Sequence, residues 1–172
     1  NDVYTTINYF YENKGLNSFG IWGFSYGATT ALFSGLEFYN QTSNVELLGI
    51  FAESPYLDLL EVFTDQVAYR TPLNKTMANL LKPGTIFLTN LVFDFDFNSV
   101  KKSFGNKNEI SFPTVVVSCA KDEIVPASQS RKIVQILGLN ATYEEFDKCN
   151  SHGGALNSEP ERYRKILENL FK

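Results

Sequence analysis

Phe19-Gly20-Ile21-Trp22-Gly23-Phe24-Ser25-Tyr26-Gly27 sets a serine between two glycines where an apolar strand gives way to a helix. Gly-x-Ser-x-Gly at a strand–helix junction is the pattern of a nucleophile elbow, a strained turn that lifts the serine hydroxyl clear of the sheet edge. Such a turn calls for residues without side chains at 23 and 27, where a Cβ is expected to collide with neighbouring backbone. After Ser25, the residues Ala28, Ala31, Leu32, Gly35, Leu36 and Tyr39 recur at helical spacing, which supplies the helix. The plainer alternative is that Ser25 caps that helix, a place serine favours for its bond to the first turn.

A serine hydroxyl is a weak nucleophile near neutral pH and needs an adjacent base, itself held by a carboxylate. The chain has a single histidine, His152, in Lys148-Cys149-Asn150-Ser151-His152-Gly153-Gly154. The run from Pro113 to Cys119 reads as a β-branched buried strand, and Ala120-Lys121-Asp122-Glu123-Ile124-Val125-Pro126 as the loop that presents Asp122. Glu123 and Glu53 compete with Asp122 for the acid's place. The chain order Ser25, Asp122, His152 differs from the chymotrypsin and subtilisin orders and matches the α/β-hydrolase order.

On these residues, together with the Glu53-Ser54-Pro55 turn, the sequence from Asp2 to Phe171 resembles the C-terminal half of an α/β-hydrolase. Within that superfamily it is most similar to the serine-aminopeptidase and lysophospholipase-like esterase branch. The resemblance implies a mostly parallel sheet flanked by helices, without the N-terminal strands. It implies Ser25 as nucleophile, His152 as general base, Asp122 as its orienting acid and the backbone N–H of Tyr26 as one oxyanion donor. The activity it implies is cleavage of a carboxylic ester, thioester or amide through an acyl-enzyme, with small esters or lipid esters favoured over peptides. No cofactor enters that chemistry. The rival readings are a non-catalytic hydrolase-like binding protein and a truncated product of a longer gene.

The remaining chain is consistent with one α/β domain over 1–172. Val3, Ile7, Phe10 and Tyr11 share a helical face that stops at Gly15. The order then runs strand 19–22, helix 26–39, polar loop 40–44 and strand 45–52, and such alternation implies parallel crossovers. In the interval 56–112, Leu59, Leu60, Val62 and Phe63 look helical, Thr71-Pro72 and Pro83-Gly84 are read as breaks, and Phe95-Asp96-Phe97-Asn98 offers caps for a short helix. By the resemblance this interval holds a lid or cap. Strand 113–119, helix 127–137 ending at Gly138, strand 141–147 and a final helix marked by Tyr163, Ile166, Leu167, Leu170 and Phe171 close the chain.

Composition narrows the partners. At 172 residues and 44% hydrophobic content the chain can bury a sizeable core. A net charge of −4 without a basic run disfavours nucleic acid. Apolar stretches such as Ile86-Phe87-Leu88 and Leu91-Val92-Phe93 are far shorter than the roughly 18 residues of a membrane span. One histidine and two separated cysteines offer no familiar metal-ligand cluster. Cys119 and Cys149 are too few for a disulfide framework and are expected to stay thiols, because a bridge beside the acid and histidine loops would constrain both. The sequons at Asn40, Asn74 and Asn140 are about as many as the composition yields by chance. Any targeting peptide would lie upstream of Asn1, so the compartment is left open with the cytoplasm as default. The expected partners are a small ester, lipid or peptide substrate and, through an exposed edge of the elbow strand, a second copy of the chain.

Overall fold

The computed structural model describes residues 2–38, 45–93, 99–105, 110 and 112–172. The expectations for Tyr39, the loop 40–44, the segment Phe95-Asp96-Phe97-Asn98 and the sequon at Asn40 lie outside those residues. Helix α1 (Asp2–Lys14) leads into strand β1 (Ser18–Phe24), helix α2 (Tyr26–Phe38) and strand β2 (Glu46–Glu53). Helices α3 (Leu59–Arg70), α4 (Lys75–Phe93) and α5 (Ser99–Gly105) precede strand β3 (Thr114–Cys119). Helix α6 (Ala127–Leu137), strand β4 (Ala141–Phe146) and helices α7 (Ala155–Ser158) and α8 (Pro160–Leu170) complete the chain. The strands form one sheet in the order β1-β2-β3-β4, with every neighbouring pair parallel.

Parallel strands covered on both faces are apolar at successive positions, because alternate side chains enter opposite layers. Ile50, Ala52 and Val116 turn to one side, where they pack with Ala28, Leu32 and Leu36 of α2 and Ile133 and Leu137 of α6. Phe51, Val117 and Phe146 turn to the other, against Tyr163 and the partly buried Ile166, Leu167 and Leu170 of α8. Phe51 and Phe146 are fully buried, and each such side chain contributes roughly 1.5–3 kcal/mol of transfer free energy. The C-terminal end of α6 is set by Gly138 at φ 82°, which donates its N–H to Val134. Pro160 opens α8, where its missing N–H costs no helical bond.

Helix α3 starts at Asp58, whose carboxylate accepts the N–H of Glu61, and stops at Thr71, held extended before Pro72. The expected second break fails: α4 runs through Pro83 and Gly84. Ala78, Leu81 and Thr85 of α4 line one groove with Leu60, Phe63, Thr64 and Val67 of α3, so the stripe that docks α4 continues past the proline. Tertiary packing thus outweighs a local cost of about 3 kcal/mol for an interior proline.

The cysteines also depart from expectation. Cys119 and Cys149 are joined in a disulfide, their Cα atoms 4.9 Å apart. The neighbouring strands β3 and β4 end in register, Cys119 opposite Phe146, and the N–H of Cys149 returns to the carbonyl of Phe146. That turn carries the second sulfur back over the end of β3, into the same buried cluster as the first.

Candidate active site

Four residues stand at or beyond the carboxyl ends of the four strands: Ser25 after β1, Ser54 after β2, Asp122 after β3 and His152 after β4. Ser25 has φ 54°, a left-handed conformation uncommon for a residue with a Cβ. Its N–H donates to the carbonyl of Glu53 at 2.8 Å, which ties the turn to the neighbouring strand. A Cβ on Gly23 would overlap the carbonyl of Gly27, so a glycine is required there. Position 27 differs from expectation, because a Cβ on Gly27 would meet nothing within 4 Å. The crowding comes from the Gly27 backbone, whereas its own Cα faces outward.

His152 Nε2 lies 2.8 Å from Ser25 Oγ, and His152 Nδ1 lies 2.8 Å from Asp122 Oδ2. An ionised carboxylate only accepts, so the Nδ1 proton sits toward Asp122 and Nε2 is left to accept from the serine. The other oxygen of Asp122 accepts the N–H groups of Ile124 and Val125, each at 2.9 Å. Burial pushes the Asp122 carboxyl up, but hydrogen bonds from His152, Val125 and Ile124 outweigh it and hold the group below its ordinary value. Tyr26 is the first residue of α2, so its N–H is among those a helix leaves without an internal acceptor.

The two competing acids are placed elsewhere. Glu123 is exposed, and its carbonyl accepts the Gln66 side chain. Glu53 is buried and accepts the Tyr163 hydroxyl at 2.7 Å. Burial raises its carboxyl above the ordinary value, and the Tyr163 bond opposes this without cancelling it.

Phe24 was not singled out in the sequence, yet its ring centroid lies 4.7 Å from that of His152. Gly153, at φ 73°, makes room for it: a Cβ there would approach Phe24 to 2.7 Å. Phe24 fills a variable position of the Gly-x-Ser-x-Gly motif, which leaves its identity open, so this contact had no sequence signal.

No protein-family model matches the chain, and no curated sequence matches it. Solved structures do. Esterase Pf2001 of Pyrococcus furiosus superposes with a TM-score of 0.66 at 18% identity, covering 98% of this chain and 59% of the esterase. An α/β-hydrolase from Vibrio vulnificus gives 0.64 at 17% identity, over 97% of this chain and 54% of its own. The fold is that of the α/β-hydrolases. A further α/β fold family hydrolase, from Bacillus anthracis, gives 0.61 at 13% identity over 96% of this chain and 72% of its own. The chain thus spans about three fifths of the length of the P. furiosus esterase, and what it shares with it is an α/β-hydrolase sheet with helices on both faces.

Proposed function

We propose that this α/β-hydrolase chain carries the catalytic machinery of a serine hydrolase acting on a carboxylic ester, thioester or amide. The observation that supports the reading best is the continuous line of hydrogen bonds from Ser25 through His152 to Asp122. Ser25 Oγ attacks the carbonyl carbon while His152 Nε2 takes its proton, and Asp122 holds the ring and stabilises the imidazolium that forms. The N–H of Tyr26 donates to the developing oxyanion. His152 returns the proton to the leaving group, and water then repeats the sequence on the acyl-enzyme. Small esters or lipid esters are the substrates favoured, with helices α3 and α4 of the interval 56–112 acting as a cap.

A fluorophosphonate probe tests this directly. Labelling that maps to Ser25, lost in Ser25→Ala together with hydrolysis of p-nitrophenyl esters, is the expected result. Undiminished turnover in Ser25→Ala would overturn the mechanism. The coverage of 59% of the P. furiosus esterase favours a second reading, an incomplete or non-catalytic hydrolase-like binding protein. A folded chain that the probe leaves unlabelled is the result that reading expects.

A further inference from the structure

Asp122 is held by four donors, and three of them belong to its own loop or to His152. The fourth comes from another strand. Ser54 Oγ lies 2.9 Å from Asp122 Oδ2, the same oxygen that faces His152 Nδ1. The carboxylate has no proton to give, so Ser54 is the donor. Ser54 is fully buried, and its φ of 52° makes it, with Ser25, one of two non-glycine residues in the left-handed region among those described. Glycine would meet that backbone without strain. A serine there places a hydroxyl where glycine has nothing.

The corner around it is firmly built. Ser54 donates its N–H to the carbonyl of Val117 on β3 at 2.7 Å, and the carbonyl just before it, that of Glu53, receives the N–H of Ser25 at 2.8 Å. One dipeptide at the end of β2 therefore grips the nucleophile's turn through its backbone and the acid through its side chain.

We propose that Ser54 is a positioning residue: its hydroxyl fixes Asp122 Oδ2 so that the carboxylate presents one steady acceptor to the His152 ring. With Oδ1 anchored by two backbone N–H groups, Ser54 supplies the contact that sets the second oxygen. The inference rests on the serine-hydrolase reading for its effect on turnover, whereas its geometry stands on the Ser54–Asp122–His152 bonds alone.

Two substitutions separate hydroxyl from backbone. Ser54→Ala removes the hydroxyl and keeps a Cβ at the left-handed φ, while Ser54→Gly removes the hydroxyl and relieves the backbone. In both, kcat is expected to fall about tenfold, the scale of one hydrogen bond to a charged group, with KM little changed. In both, the low-field ring N–H proton of the chain's single histidine is expected to broaden through faster exchange with water. That resonance needs no turnover, so the two readings fail separately. An inactive, unlabelled protein whose line broadens in both variants loses the hydrolase reading and keeps the role of Ser54. Unchanged kcat and an unchanged line in both variants would overturn the proposal. So would a loss in Ser54→Ala that Ser54→Gly does not share, or the absence of the low-field line from the unsubstituted protein.

Discussion

Reducing the Cys119–Cys149 bridge should destabilise the chain by an amount its position sets. The bond closes a segment with a sequence separation of 30, and the loop-closure entropy removed from the unfolded chain is then about 3.6 kcal/mol at 25 °C. For a domain of this length, that corresponds to a fall in Tm of roughly 7 to 14 °C. Both sulfurs are buried, so a phosphine reductant gains access as the chain opens and then holds the unfolded state reduced. Urea titrations with and without the reductant measure the difference, and intact mass under non-reducing conditions reports the bridge itself. A mass equal to that of two free thiols, or coincident urea midpoints in the two conditions, would refute the reasoning.

Three further outcomes are expected. Asp122→Asn should lower kcat by roughly 10⁴-fold, because the amide favours the wrong imidazole tautomer, while the exposed Glu123→Gln leaves rates near wild type; steady-state kinetics showing the reverse ranking would move the acid assignment. Because the folded state raises the Glu53 carboxyl above its ordinary 4.5, the stability it contributes is present below that value and is lost as pH rises through the raised one. Glu53→Gln keeps an acceptor for Tyr163 and should be more stable than wild type at neutral pH but not in acid; a variant equally destabilised at both would refute the sign. Strand β1 is an edge of the sheet with Trp22 59% and Phe24 42% exposed, so the chain expressed alone should elute as oligomer or aggregate; a monodisperse, cooperatively unfolding monomer would show that this edge needs no cover.

The legibility of the chain followed how local each signal was. The strands before Ser25 and Asp122 are bounded by glycine, proline or charge, and α6 spans Ala127–Leu137 as its apolar stripe and terminal glycine imply. The runs that hold Ser25, Asp122 and His152 were legible because each is short and has its own turn chemistry, and the structure brings the three side chains into one hydrogen-bonded line. Pro83 misled because the contacts that carry α4 past it lie on α3. The Cys119–Cys149 bond, the Ser54 hydroxyl on Asp122 and the Phe24 ring on His152 depend on which strands adjoin and where each turn doubles back. No residue pattern along one segment encodes that.

The parallel sheet has a consequence for how this chain could change. With every strand pointing the same way, the turns that enter the strands, near Asn17, Pro113 and Asn140, gather at one rim, and Ser25, Ser54, Asp122 and His152 gather at the other. The sheet's length separates alterations at the entering rim from those four side chains, so a substitution there that keeps the carbonyls of Asn17, Pro113 and Asn140 on their strand partners is expected to leave the geometry of the opposite rim in place. The separation is one of position and not of stability, because the Cys119–Cys149 bridge lies at the same rim as these four side chains.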